Sequence, residues 1–187
     1  MIFKKAFKDS IPVLMGYTTM GAAAGVLLAV QVGVPYAPIW AVVMAAVLLS
    51  GTMQFAIVAP MVAGDPLIAV ALLTIAISFR YGFYGFSLID KWKNVPFLKK
   101  CYMIHLLADE GYALMCAAKY EKESDYLKYC VYVGTLDLSY WIVGLLAGGI
   151  IGTILRNAQI PTEGVDFTMA SLFLVIFTDQ IRGYLQK

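Results

Sequence analysis

Long apolar runs separated by short polar stretches dominate this chain. Six such segments can be drawn, at about residues 10–34, 38–63, 66–88, 101–118, 127–154 and 166–184. A helix needs about 20 mainly apolar residues to cross a bilayer. Runs such as IWAVVMAAVLLSG lack the alternating polarity of barrel strands. The pattern therefore predicts an all-α integral membrane protein, a bundle of about six hydrophobic helical segments.

Composition agrees with this class. Hydrophobic residues make up 61% of the chain and charged residues 14%, against roughly 45–50% and about 25% in ordinary soluble domains. Six segments within 187 residues leave no room for a soluble domain, so residues 1–187 are expected to form a single transmembrane domain. The first apolar run is too long for the core of a signal peptide, and we expect a retained helix.

Charge and cysteine content exclude several partners. The net charge of +2 arises from loop lysines and not from a basic face, so we expect the lipid bilayer and no nucleic acid as a partner. Cys101, Cys116 and Cys130 are odd in number and lie in or beside apolar segments. Packing roles are favoured over a disulfide or a metal site.

Two segments carry polar groups at their centres. The fourth contains His105, Asp109 and Glu110, and the second contains Gly51 and Gln54. Charged groups at the bilayer centre cost several kcal/mol each on insertion scales. A helix can break inside the membrane where protein or water covers the freed backbone. The fourth segment is thus a buried helix, a re-entrant helix or a poor membrane span.

The positions of the basic residues indicate independently which segments cross the membrane. Basic residues concentrate on the cytoplasmic side of bacterial membrane proteins. If all six segments crossed from a cytoplasmic N-terminus, the lysines would be divided between the two sides. The cytoplasmic side would hold Lys4, Lys5 and Lys8, and the outside would hold Lys91, Lys93, Lys99 and Lys100. If one early segment and the fourth were both re-entrant, only Arg156 among the loop residues would lie outside. We therefore expect at least one segment to be broken or re-entrant.

Small residues recur at four-residue spacing in the first and fifth segments. Gly21 pairs with Gly25, and the fifth segment carries Gly144, Gly148 and Gly152. One interpretation is close helix packing through small faces. The other is an internal repeat relating residues 10–63 to 130–187, as in many secondary transporters.

Arg80 lies inside the third segment, in SFRYGFYGFSL, too deep to reach either interface comfortably. Its planar fork of donors suits a carboxylate. Two interpretations remain open: an ion pair with Asp109, Glu110 or Asp137, or contact with the carboxylate of a substrate. Tyr81 and Tyr84 would extend this polar stripe, or belong to an aromatic belt at the interface.

The acidic pair of the fourth segment predicts two separate roles. Asp109 and Glu110 are adjacent and point about 100° apart on a helix. His105 would share a face with Asp109 and could exchange a proton with it near neutral pH. The alternative is that all three are solvated at the interface. No metal site is expected, because the chain has no second histidine and no zinc-binding spacing.

Two further polar residues lie in apolar surroundings. Gln54 could bond a neighbouring helix. Alternatively, a break at Gly51 could present free backbone N–H groups to an anion. Asp137, between two leucines of the fifth segment, should partner Arg80 or face a cavity.

The stretches SGTMQFAIVAP, SFRYGFYGFSL and LADEGYAL, in this order and spacing, resemble the AzlC-like family, the large subunit of bacterial branched-chain amino acid exporters. The family's Gly-x-x-Gln matches Gly51 to Gln54, and its Asp-Glu pair matches Asp109 and Glu110. Its Asn-x-Arg matches Ser78 to Arg80, with serine in place of asparagine.

The resemblance implies a multi-pass protein of the bacterial cytoplasmic (inner) membrane that exports small apolar amino acids with a small AzlD-like membrane subunit. It also implies a further hydrophobic segment beyond Lys187 in relatives, so this chain would be a natural short form or a truncated one. No cofactor is implied. The sequence contains no GxxxxGK[ST] phosphate loop, which favours coupling to an ion gradient.

A zwitterionic apolar substrate needs donors for its carboxylate, an acid for its ammonium and an apolar pocket. We expect Arg80, Gln54 and the backbone near Gly51 around the carboxylate, and Asp109 or Asp137 at the ammonium. The resemblance adds Ser78, and the polar stripe adds Tyr81. His105, Asp109 and Glu110 are the candidates for proton coupling.

A non-transporting assembly subunit, whose buried charges dock a partner helix, is the alternative. An enzyme is not expected, because the single histidine lies in no recognisable nucleophile context.

Overall fold

The structure is a computed structural model that describes residues 2–33, 36–48 and 50–160, together with positions 167, 171, 174, 178 and 182. The described residues are helical and contain no strand, as the sequence predicted. Three helical stretches are long and apolar enough to cross a membrane: Ile2–Val32, Leu67–Leu88 and Glu123–Asn157. The sixth predicted segment, 166–184, lies outside the described residues apart from those five positions.

The helices follow one another in a simple order. They are α1 (Ile2–Leu27, continued by a π-helical turn at Leu28–Val32), α2 (Ala37–Leu48), α3 (Gly51–Ala56), α4 (Val58–Ala63), α5 (Leu67–Leu88), α6 (Phe97–His105), α7 (Asp109–Ala117) and α8 (Glu123–Asn157).

Helices α1 and α8 form the centre of the bundle. They run parallel, because Tyr129, near the start of α8, bonds Asp9, and Arg156, near its end, bonds the Gly33 carbonyl at 2.6 Å. Their backbones meet at the predicted small residues. A Cβ on Gly144 would stand 2.6 Å from the Thr18 carbonyl oxygen. This confirms packing through small faces, whereas the internal repeat remains a prediction.

The second predicted segment is broken and does not cross. Pro38, at the start of α2, packs on Gly149 of α8. The chain then reaches Trp141, near the middle of α8. There Ser50 adopts an extended conformation and caps α3 by accepting a hydrogen bond from the Met53 N–H. Helix α4 returns to the π-helical turn of α1. Helices α2 to α4 therefore form a first hairpin that enters and leaves at the same end.

Local sequence explains the two breaks in this first hairpin. Ser50 is a favoured N-cap residue, so a new helix begins at Gly51. Pro60 has no N–H to offer the Ala56 carbonyl, and the helix is interrupted at Ile57 between α3 and α4. Gly64, at φ 71°, then ends α4 in the left-handed conformation that glycine adopts without strain.

The fourth predicted segment is a second hairpin, built from α6 and α7. It enters from the opposite end, because Val95, just before α6, is buried in one cluster with Ala6 and Tyr129. Its turn, residues 106–108, reaches Gly134 of α8, and α7 returns to Tyr126, whose hydroxyl donates to the Met115 carbonyl. The expectation of a broken or re-entrant segment is confirmed twice.

This arrangement gathers the lysines at one end. We call it the lysine-rich end; it contains the start of α1, the end of α5, the start of α6 and the start of α8, with Lys4, Lys5, Lys8, Lys91, Lys93, Lys99, Lys100, Lys119, Lys122 and Lys128. Arg156 lies at the other end. By the positive-inside rule, we infer that the lysine-rich end faces the cytoplasm.

Candidate functional site

The turns of the two hairpins meet at mid-height of the bundle and enclose a cavity with about 600 Å³ of space between the atoms, including its open mouth. Both polar and apolar side chains line it. The lining residues are Tyr17, Met20, Gly51, Thr52, Arg80, Tyr81, His105, Leu106, Ala108, Asp109, Glu110, Gly134, Asp137, Leu138 and Trp141. Seven of the nine residues predicted for substrate binding or proton coupling are in this set; Gln54 and Ser78 are not.

Arg80 connects α5 to both hairpins. Its Nη1 lies 2.9 Å from Oδ2 of Asp109 on α7, and its Nη2 donates to Oγ1 of Thr52 on α3 at 3.0 Å and to the Tyr81 hydroxyl at 3.3 Å. Its Nε has no partner among the described residues. Asp109 is thus the intramolecular partner, and the alternatives Glu110 and Asp137 are wrong.

The tyrosines of α5 extend this polar connection. The Tyr81 hydroxyl donates to Oγ of Ser50 at 3.1 Å, and the Tyr84 hydroxyl donates to Oδ1 of Asp109 at 2.9 Å. The Tyr84 ring also stacks on Tyr112 of α7, with ring centroids 4.2 Å apart. Both tyrosines therefore face the bundle interior, and the aromatic-belt interpretation is wrong for both.

The acidic pair has two separate partners, as the 100° offset predicted. Asp109 binds Arg80, whereas Glu110 accepts a hydrogen bond from the Tyr17 hydroxyl of α1 at 2.5 Å. Both acids occupy the first turn of α7, where the helix dipole favours negative charge. An acidic first turn is a helix-start signal, and it could have located the break at residues 106–108 from sequence.

The predicted contact between His105 and Asp109 is wrong. The four-residue spacing brings two side chains together only on a continuous helix, and this helix ends at His105. His105 Nε2 instead lies 2.9 Å from the Ala46 carbonyl oxygen of α2. The histidine therefore joins the two hairpins.

Asp137 is the most enclosed charged residue of the cavity. The residue is 1% exposed, and neither carboxylate oxygen has a hydrogen-bond partner among the described residues. It lies against Gly111 of α7, where a Cβ would stand 2.5 Å from Oδ2. The prediction that Asp137 faces a cavity is confirmed, whereas pairing with Arg80 is not observed.

Gln54 lies behind the cavity wall. Its Oε1 accepts a hydrogen bond from Trp141 Nε1 at 2.6 Å, and its Nε2 has no partner among the described residues. This matches the prediction of a bond to a neighbouring helix. Gly51 packs directly on the Trp141 ring, with 2.7 Å between an added Cβ and the ring. A direct substrate contact by Gln54 or Ser78 finds no support in this geometry.

Sequence reasoning missed three residues of the site. Tyr17, Thr52 and Trp141 are uncharged, and each lies within an apolar run. Thr52 lies between the singled-out Gly51 and Gln54, which was a usable signal. Tyr17 and Trp141 acquire their role only through the close approach of α1 and α8.

The cysteines and acids give no sign of a metal centre. Within the described part of the chain, no group of three or more His, Cys, Asp or Glu residues could hold a metal ion. All three cysteines are free; Cys130 is buried in the core, whereas Cys101 and Cys116 are exposed. The packing role predicted for cysteine therefore holds for Cys130 alone.

Fold and site together define a multi-pass helical membrane protein with two broken hairpins around a central polar cavity. The family model described as AzlC protein matches residues 12–155, so the chain belongs to the AzlC family. No solved structure gives a significant match.

Curated relatives agree with the family. One is the "Branched-chain amino acid transport protein AzlC" of Bacillus subtilis (strain 168), 31% identical over 180 residues that cover 95% of this chain and 67% of the relative. An "Uncharacterized membrane protein" of Helicobacter pylori (strain J99) is 31% identical over 96% of this chain and 78% of its own length. A similarly named Haemophilus influenzae protein is 31% identical over 94% and 70%. The predicted bacterial membrane location agrees with these relatives.

Proposed function

We propose that this chain is the large subunit of a secondary transporter that exports branched-chain or other small apolar amino acids across the bacterial inner membrane. Membership of the AzlC family and the name of the Bacillus subtilis relative support a transport role. The observation that carries the proposal is that one cavity at mid-height of the bundle contains Arg80 together with Asp137, whose carboxylate has no partner among the described residues.

The cavity chemistry is complementary to a zwitterion. Arg80 lies next to the Thr52 hydroxyl, and its Nε has no partner in the described part of the chain, which suits a carboxylate. Asp137 offers an ammonium group two oxygens that are likewise unpartnered by the described residues. Met20, Leu106 and Leu138 supply apolar lining for the side chain.

The hairpins suit alternating access. Each enters from a different end, and their turns contact each other through His105 and Ala46. Opening one hairpin while the other stays closed would expose the cavity to one side at a time. The substrate would be bound at the point where both turns meet.

The proposal includes a small AzlD-like membrane subunit. Helix α5 is long enough to span the membrane, yet the described residues bury no residue of its most apolar stretch. Its outer face carries Leu72, Ile75, Phe79 and Phe83. A partner helix on this face would bury part of that surface.

The docking alternative is less well supported. It requires the buried charges to be satisfied by a partner helix, yet Arg80 already binds Asp109 within the chain. An enzymatic role is less well supported, because the Bacillus subtilis relative is named a transport protein.

Efflux tests the proposal. Cells that express the chain with and without a co-expressed small subunit are preloaded with radiolabelled leucine, and wild type is compared with Arg80→Ala and Gly82→Ala. Gly82 lies on the same helix with open space around it and serves as the matched control. We expect export by wild type and the control, and none by Arg80→Ala at equal membrane levels.

Two results would count against transport at this site. The first is unchanged efflux by Arg80→Ala. The second is loss of the complex with the small subunit in Arg80→Ala, which the docking alternative predicts.

A further inference from the structure

The carboxyl group of Asp137 is buried and has no hydrogen-bond partner among the described residues, although it lines the cavity that contains the cation Arg80. Arg80 is bound to Asp109 and not to Asp137. Burying an ionised carboxylate without a compensating partner is so unfavourable that such a group normally takes up a proton instead. In the conformation described here, Asp137 is therefore the neutral acid.

Other ionisable groups line the same cavity as Asp137. They are Tyr17 from α1, Arg80 and Tyr81 from α5, His105 from α6, and Asp109 and Glu110 from α7. Most of them have another partner: Arg80 and Asp109 bind each other, His105 lies next to the Ala46 carbonyl, and Glu110 accepts a hydrogen bond from Tyr17.

We propose that Asp137 is an exchange site at which a proton and the ammonium group of the substrate compete for the same carboxylate. This inference rests on the proposed function, and it moves the proton-coupling role from His105, Asp109 and Glu110 to Asp137. When the ammonium group arrives, the O–H bond of the acid breaks, the proton passes to water in the cavity, and the carboxylate pairs with the ammonium.

Competition at one carboxylate would couple the two fluxes. A site that holds either a proton or the substrate, but never both, exchanges one for the other each time it faces alternate sides. Proton entry down its gradient would then drive amino acid export.

The sign of the pH effect follows from the competition. Substrate binding requires the ionised acid, so protons weaken it. Below the pH at which Asp137 is half-protonated in the substrate-free protein, leucine affinity should fall about tenfold per pH unit. Asp137→Asn cannot exchange a proton, so its residual leucine binding should lose this pH dependence.

The test uses the full chain in lipid nanodiscs, with leucine as the probe. Calorimetric titration in two buffers with different ionisation enthalpies counts the protons released on binding, and infrared difference spectra follow the carbonyl stretch of the protonated carboxyl group. Carbon-13 labelling of aspartate shows whether that band belongs to an aspartate, and Asp137→Asn or Asp137→Glu, which removes or shifts the band, assigns it to position 137. Asp125→Asn, on the same helix and outside the cavity, is the matched control.

We expect a protonated aspartate band in the substrate-free wild type and in Asp125→Asn, its loss on leucine addition, and release of a single proton. Absence of the band overturns the inference whether or not leucine is transported. A band that persists while leucine binds also overturns it and leaves the proposed function intact. If leucine produces neither heat nor a spectral change, both the exchange site and leucine transport are rejected.

Discussion

Two parts of the bundle are held together by opposite means. Helices α1 and α8 meet backbone to backbone through glycines, and a Cβ on Gly148 would overlap the carbonyl group of Ala22. Among the described residues, helix α5 has no buried residue in its most apolar stretch. It joins the rest through the polar contacts of Arg80, Tyr81 and Tyr84, the stacking of Tyr84 on Tyr112, and Leu88, which is buried at its end. Glycine packing allows no sliding, whereas a set of polar contacts can exchange partners. The contrast indicates a rigid pair and a movable helix on either side of the cavity.

The largest effect is expected where the rigid pair is forced apart. Gly148→Leu would place a branched side chain within the backbone of α1, and relief requires the two helices to separate. Overpacking costs about 1–3 kcal/mol in yielding cores and more where backbone must move. We expect little or no folded chain in membranes by quantitative immunoblot and size-exclusion chromatography. Gly82→Ala on α5 should match wild type, and normal folding of Gly148→Leu would contradict the rigid pairing.

On the movable helix, the expected effect is on transport and not on folding. Arg80→Lys retains the charge but loses the fork that reaches Asp109 and Thr52 together. The loss of a hydrogen bond to a charged group, about 1.5–3 kcal/mol, corresponds to roughly a tenfold to hundredfold decrease in leucine efflux. The assay compares initial rates at equal membrane levels. Equal rates for the two chains would show that the fork is dispensable.

A substitution in the cavity wall between helix α5 and the α1–α8 pair should have a smaller effect on stability. Trp141→Phe removes the N–H that Gln54 accepts, and leaves a buried amide without its partner. The free energy of unfolding should fall by about 1–3 kcal/mol. Thermal unfolding in detergent would measure this decrease. Tyr140 lies on the same helix as Trp141 but outside the cavity. Tyr140→Phe removes a hydroxyl near Ser10 of α1 and offers a comparison.

The smallest effect is expected for the Tyr81 hydroxyl of α5. Tyr81→Phe removes the hydrogen bond to Ser50, which caps α3, and the longer hydrogen bond accepted from Arg80 Nη2 at 3.3 Å, whereas Arg80 keeps Asp109 and Thr52 as partners. Such a bond contributes about 0.5–1.5 kcal/mol. Efflux should fall by tenfold at most, with unfolding unchanged within a few degrees. A complete loss of efflux would mean that Tyr81 contacts the substrate itself and does not merely position α3.

The sequence predicted the rigid part of the molecule better than the movable part. Glycine spacing in the first and fifth segments was sufficient to predict the α1 and α8 contact, because the spacing itself determines which faces can approach. Lysine positions predicted that segments would fail to cross, and both hairpins confirm it. The break after His105 was missed because its turn, residues 106–108, contains no glycine or proline.

The candidate site was predicted where charge made it conspicuous. A charged side chain inside a membrane carries a large free-energy cost. The sequence alone therefore called for an explanation of Arg80, Asp109 and Asp137. The partner of Arg80 could not be predicted, because the sequence offered Asp109, Glu110 and Asp137 as equivalent carboxylates. They differ only in their positions at a helix start or on a helix face. Tyr17 and Trp141 entered the site through tertiary packing.

The central claim is that both hairpin turns line one substrate cavity. In a chain whose three cysteines are replaced, Thr52→Cys samples the first turn and Ala108→Cys the second, with Ala118→Cys, at the base of the second hairpin, as the control. Alkylation rates are measured with and without leucine. The account predicts that leucine slows alkylation at both turns and leaves the control unchanged. Alkylation of both turns at rates unaffected by leucine would contradict it.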